Sequence, residues 1–262
     1  MANFEIKDGV AIIPEGTRAI NYEEFKDCTE LKSVTIPQSV SLIGFCAFNG
    51  CSGLTRIVVE DGNPFFDSRD DCNAVIQSDT NILYSGCQTT TIPASVKSIQ
   101  NEAFQDCTTL TSINIPEGVE LIGVRAFAGC TGLEHVTIPA SVAAIGVANF
   151  QGCTALTDVT IAEGVKEIRR EAFQDCTALK SIVLPKGMKR VDAVAFKGAI
   201  SLETITLPTG MTKIDSEAFY RCTALKTIYV PAKKADYYKQ RLPEELHQFI
   251  VEMEPVKKAK KK

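Results

Sequence analysis

The sequence predicts an α/β solenoid, a stack of short coils that each pack only on their neighbours. Three observations carry that reading. Phe25 and Phe48, then Phe104, Phe127, Phe150, Phe173, Phe196 and Phe219, recur with a period of 23 inside each run. Cys follows three positions later at Cys28, Cys51, Cys107, Cys130, Cys153, Cys176 and Cys222. Pro14, Pro37, Pro93, Pro116, Pro139, Pro185, Pro208 and Pro231 keep the same phase. Self-similarity at a fixed period of 20–50 residues marks a repeat array and has to be settled before any other fold is considered.

The chain starts with a cap, residues 1–14. Asp8 replaces the Leu of later units and Ala11 replaces an Ile, as expected of a terminal repeat with one face in water. Phe4 and Ile6 are expected to cover the first coil. Each regular coil then has three parts, seen most clearly from Leu110 to Cys130. Leu110, Ile113 and Ile115 point inward and Ser112 and Asn114 outward, the period-two alternation of a short strand. Pro116 ends the strand because it has no N–H for a ladder. Glu117 and Gly118 turn the chain, and Val119 and Ile122 re-enter the core. Ala126, Phe127 and Cys130 form the opposite wall, expected as one tight helical turn.

One coil is long and irregular, near residues 60–92. Ala74–Gln77 and 81–84 read as two strands around Ser78, Asp79 and Thr80, a hairpin. After Pro231 the period stops. Residues 232–241 and 243–253 have helical spacing, with Leu246, Phe249, Ile250 and Met253 on one face. The division expected is a solenoid over 1–232, a C-terminal helical cap over 233–254 covering the last sheet edge, and a disordered basic tail over 255–262.

Composition removes several function classes. Net charge is −4. Residues 233–262 carry +4 and the rest −8, so no basic field covers the body and no nucleic-acid partner is expected. No run of about 18 apolar residues exists, so no membrane span is expected. The first residues lack a basic region followed by a long apolar stretch, so no signal peptide is read as written. Localisation is left open: cell surface or secreted if a leader has been removed, otherwise cytoplasmic. No phosphate-binding loop, dinucleotide fingerprint or His-Glu-x-x-His is present, so no cofactor and no metal site is expected. The chain is expected to be a monomer. Seven of ten cysteines share one slot, and Ala199 fills that slot in one coil. Ala can replace a small buried group but not half of a disulfide, so the thiols are read as core.

With the pattern C-x-x-L-x-x-I-x-I-P-x-[GS]-V-x-x-I-x-x-x-A-F-x-x-C in hand, the chain resembles leucine-rich repeat proteins of the BspA-like, or Treponema pallidum-type, class over roughly residues 10–231. The long unit with GNPFFDS resembles a variant coil of that family. The resemblance implies a right-handed superhelix, with a parallel β-sheet on its concave face and short helical turns on the convex side. It also implies a bacterial origin, often at the cell surface, and binding and adhesion to host proteins.

Candidate site residues are the outward positions of the strands. One column runs Ile12, Thr35, Val58, Thr91, Asn114, Thr137, Thr160, Val183, Thr206, Tyr229, and the other includes Arg56, Ser112, His135 and Asp158. The partner-binding set drawn from them is Arg56, Asn114, His135, Thr137, Asp158, Thr160, Thr206 and Tyr229. Thr also suits any half-exposed strand, so its repetition alone does not require a ligand. Ser112, His135 and Asp158 lie in successive coils, the residue types of a hydrolase triad. A ladder leaves no free N–H for an oxyanion hole, so no catalytic residue is assigned. Asp158 is expected instead to pair with His135. His247 reads as a solvated helix position. The expected function is recognition of a protein partner of unknown identity through the concave sheet. The alternatives are an intracellular scaffold and, less favoured, a hydrolase.

Overall fold

The computed structural model describes residues 4–254, and the stack follows the 23-residue period. The basic tail expected over 255–262 lies outside the described residues. A principal ladder of parallel strands runs in three blocks. The first joins Val10–Ile12, Ser33–Ile36 and Arg56–Val59. The second joins Ser112–Asn114, His135–Ile138 and Asp158–Ile161. The third joins Ser181–Val183, Thr204–Thr206, Thr227–Val230 and Ile250–Glu252. Partners are one period apart, as in Ile113↔Val136↔Val159, so equivalent side chains form straight files. The alternation is as the sequence dictates: Val136 and Ile138 are buried while His135 and Thr137 are exposed.

A second ladder of two-residue strands follows each turn. Ser98–Ile99 pairs with Leu121–Ile122, and Glu167–Ile168 pairs with Ala144–Ile145 and Arg190–Val191. The third wall is not helical. The short helical turns expected there are single turns closed by i→i−3 bonds, such as Cys130 N–H to Phe127 C=O. Among the described residues helix is confined to the α-helix Ala235–Lys239 and the 3₁₀ segments Arg69–Asp71 and Glu244–Phe249. This turn wall has its own inter-coil bonds. The Phe N–H of one coil donates to the carbonyl preceding the Phe of the next, as Phe150 to Ala172 at 2.9 Å. Two residues on, Gly152 donates to Gln174 at 2.8 Å.

Inside, the Phe side chains stand in single file. From Phe104 to Phe219 successive ring centroids are 4.9–5.6 Å apart and within 12° of parallel. The Cys file lies beside it and all ten cysteines are free thiols. The thiols do more than fill space. Cys130, Cys153, Cys176 and Cys222 each donate to the Phe carbonyl of the preceding coil at 3.1–3.2 Å. Burial pushes the Cys153 and Cys222 thiols up to about 12, because it disfavours the thiolate. Cys130 and Cys176 are also raised, first by burial.

The residue before each Cys of the file takes positive φ, for example Asp106 at 60° and Gly129 at 73°. Asp27, Asp106 and Asp175 are each followed one coil later by Gly50, Gly129 and Gly198. A Cβ on any of those three glycines would collide with the Asp Oδ1 below it.

Both ends of the principal ladder are capped. Glu5–Lys7 pairs antiparallel with Val10–Ile12 around Asp8 and Gly9, whose φ values of 54° and 85° suit a two-residue hairpin. Asp8 therefore departs from Leu because it makes this turn. Phe4 stacks on Phe25 at 5.8 Å, and Ile6 packs on the first coils. At the other end, the helix expected over 243–253 is corrected. Glu244–Phe249 is 3₁₀ and Ile250–Glu252 is a strand added to Thr227–Val230. The open sheet edge offered backbone partners there, and ladder bonding overrode the helical spacing.

The long unit interrupts the stack. The hairpin expected at 74–84 is present as Ala74–Gln77 against Ile82–Gly86, with Phe66–Asp67 on its outer side. Its inner strand re-enters the second ladder beside Ser98–Ile99. The buried core divides here into two clusters, with Val75 and Cys87 in the first and Cys72, Ala74, Ile76 and Leu83 in the second. No ring stacks between Phe48 and Phe104. Gly86 lies against the Phe104 ring, where a Cβ would collide.

Candidate functional site

The principal ladder sets the candidate site. In a parallel pair equivalent residues lie side by side, about 4.8 Å apart. Asn114, Thr137 and Thr160 therefore form one row, and Ser112, His135 and Asp158 the next. Thr206 lies between Val183 and Tyr229 in the following block. Asn114, His135, Thr137, Asp158, Thr160 and Tyr229 are exposed and Thr206 is half-buried. Arg56 is exposed too, but it belongs to the first block and is separated from the rest by the long unit.

The Ser-His-Asp row is in register but makes no relay. His135 Nε2 faces Glu134 Oε2 at 3.6 Å, and both side chains are more than half exposed. The pairing expected with Asp158 is corrected: Asp158 and His135 make no hydrogen bond, and the adjacent Glu134 competes for the ring. His247 sits on the 3₁₀ segment, half-buried, with Nε2 3.0 Å from the Leu242 carbonyl, so the solvated helix position expected for it is corrected as well. Among the described residues no cluster of three or more His, Cys, Asp or Glu side chains could hold a metal ion.

Two interruptions in the ladders shape the surface. The strands Asp158–Ile161 and Ser181–Val183 lie in adjacent coils without ladder pairing. A groove of ≈ 540 Å³ opens there, lined by Asp158, Thr160, Val183, Lys186, Thr206 and Met253 among others. It gathers three of the residues singled out from sequence. The second interruption separates Leu121–Ile122 from Ala144–Ile145. Asn149 causes it. This fully buried amide occupies a slot that holds Ala in six other coils. Its Nδ2 donates to Gly123 C=O at 2.5 Å and its Oδ1 accepts from Gly146 N–H at 2.6 Å. The side chain thus replaces the main-chain bond between two coils and satisfies its own buried amide. Leu121 and Val124, 60% and 44% exposed, border the shallow groove that results.

Sequence reasoning missed one member of the exposed file, Val251, and named another, Val183, in the outward column without taking it into the partner-binding set. Val183 and Val251 continue the row Val183, Thr206, Tyr229, Val251 and are 64% and 45% exposed. Val183 was signalled by an apolar residue in an outward slot. Val251 was hidden by the helical spacing of its segment.

Comparison with curated proteins gives no match. Among solved structures, a leucine-rich repeat protein from Eubacterium ventriosum is 26% identical with a TM-score of 0.60, the match covering 73% of this chain and 59% of that one. The pneumococcal vaccine antigen PcpA is 21% identical with a TM-score of 0.63, the match covering 92% of this chain and 60% of that one. The chain thus spans about three fifths of the length of both. The model of the BspA type leucine rich repeat region matches in six copies over residues 9–68, 80–193 and 144–242. These matches take in most of the sequence, and the chain belongs to the BspA-type leucine-rich repeat family.

Proposed function

We propose that the chain binds a protein partner through the exposed face of its principal ladder, the face the resemblance places on the concave side. One observation carries this. Seven of the outward residues singled out, Asn114 to Tyr229, form straight adjoining rows, and three of them meet in the ≈ 540 Å³ groove beside Val183. Tyr229 supplies an amphipathic aromatic of the kind that anchors interfaces, and Val183 and Val251 add apolar area beside it. Arg56 is a contact on the first block. The protein acts as a monomer, and its role is adhesion to a host protein if it reaches the cell surface. The solenoid over 1–232 is the binding unit and 233–254 its cap. The coils wind right-handed, as about 98% of parallel β connections do.

The test immobilises the protein and a His135→Ala, Asp158→Ala, Tyr229→Ala triple variant and compares the proteins they capture. A band lost only from the variant supports the reading. Identical capture by both rejects this face. Among the described residues no helix is long and apolar enough to cross a membrane. Catalysis by Ser112, His135 and Asp158 is disfavoured because their row makes no hydrogen-bonded relay. Turnover of an ester substrate that disappears in Ser112→Ala would reverse that judgement.

A further inference from the structure

The turn wall contains a repeated donor pair whose last copy is open. At six junctions the Phe N–H and the N–H two residues later both donate to carbonyls of the next coil. Phe127 reaches Asn149 and Gly129 reaches Gln151; Phe196 reaches Ala218 and Gly198 reaches Tyr220; the distances are 2.8–3.0 Å. In the last coil the same pair is Phe219 N–H and Arg221 N–H. Among the described residues neither has an acceptor. The pair is also unanswered at Phe48 and Gly50, where the long unit follows in place of a regular coil and Cys46 Sγ reaches Glu102 Oε2 at 2.6 Å. At the C-terminal end a groove of ≈ 500 Å³ lies beside the pair, with Phe219, Tyr220 and Arg221 on one side and Pro243, Glu245 and Leu246 of the cap on the other.

We propose that this groove docks an extended peptide from a protein partner, which offers two main-chain carbonyls spaced two residues apart to Phe219 and Arg221. The six internal junctions define the occupant, since each meets the same donors with that carbonyl pair. Main-chain pairing at an open edge is a general mode of peptide recognition, with side-chain pockets adding selectivity. Pro243 and Leu246 supply an apolar wall for the side chain between the two carbonyls, and Tyr220, 58% exposed, lies at the rim. A free anion is disfavoured because Glu217 and Glu245 outnumber Arg221 in the lining of the groove. The site is distinct from the principal-ladder face and does not depend on it.

The probe is a blocked peptide copying residues 170–175, Arg-Glu-Ala-Phe-Gln-Asp. In the stack its Ala172 and Gln174 carbonyls meet the donors of Phe150 and Gly152. Titration into the full chain, read by amide NMR, should shift the Phe219 and Arg221 signals saturably and slow their hydrogen exchange. Ser216→Trp, at an exposed position lining the groove, should weaken binding at least about tenfold, a difference of ~1.4 kcal/mol. Unchanged Phe219 and Arg221 amides overturn the proposal. So does equal binding by a folded Ser216→Trp, or an equal response to inorganic phosphate. If that variant does not fold, protection of the two amides in the unaltered chain decides alone.

Discussion

The regular stack from Phe104 to Phe219 and the long unit at 60–92 solve the same packing problem differently. In the stack every coil is tied to the next by ring stacking and the paired N–H bonds of the turn wall, and by a thiol donor at every junction but the one where Ala199 replaces Cys. In the long unit no ring continues the file, Phe66 meets Tyr84 edge-on at 5.6 Å, and the Cys72 thiol reaches only its own neighbour Ala74 O at 3.8 Å. The buried core splits at this point. Regular coils therefore propagate stability along the axis, while the long unit is a joint between two cooperative blocks.

Alkali should act most strongly on the stack, while Cys72 of the long unit is also raised by burial, to about 11. Unfolded thiols titrate near 8.5, while Cys153 and Cys222 hold their protons to about 12 in the fold. Folded values above unfolded ones give stability that is complete below about pH 8.5 and is lost as pH rises towards 12. Each such thiol contributes up to about 1.4 kcal/mol per pH unit in that window. Urea midpoints measured at neutral and alkaline pH should fall steeply, and Cys153→Ala should flatten the decline. A midpoint that stays level would remove this account of the Cys file.

Next in size is the ring file. Phe127→Ala should cost about 3–5 kcal/mol and loosen Phe104 and Phe150 with it. Phe66→Ala, outside the file, should leave hydrogen exchange in the stack unchanged. Equal spread of exchange from both variants would contradict the joint. Gly86→Ala probes the boundary itself. The added methyl meets the Phe104 ring and should cost about 1–3 kcal/mol in thermal unfolding. The smallest contrast lies between thiols. Cys153→Ala removes an inter-coil hydrogen bond and Cys72→Ala does not, so their stability losses should differ by about 1 kcal/mol. Equal losses would reduce the file to packing.

Much of this was legible in the residues. The spacing of Phe, Cys and Pro fixes which side chains share a file, because partners in parallel coils must sit one period apart. The hairpin at 74–84 was readable from its turn residues. Other features were not, because they depend on what a neighbouring coil offers. Ile250–Glu252 is a strand only because Thr227–Val230 presents a free edge. Asn149 departs from an Ala column, as Glu24 does, but only the structure shows it bridging Gly123 and Gly146. The exposed rows were legible as positions. The groove beside Val183 was not, since a ladder interruption leaves no mark in the strand pattern.

The Asp and Gly residues before each Cys give the array a syntax. A unit with Asp in that slot packs against a unit without a Cβ there, which is what Gly50, Gly129 and Gly198 provide, and any other residue would have to push the Asp carboxylate aside. Excising the Gly198 unit alone would set Arg221 over Asp175, while duplicating the Asp175 unit would set Asp over Asp. Gene rearrangements that lengthen or shorten such an array should therefore move an Asp unit together with the Gly unit that follows it. Modules that look interchangeable by their consensus carry a direction and an order.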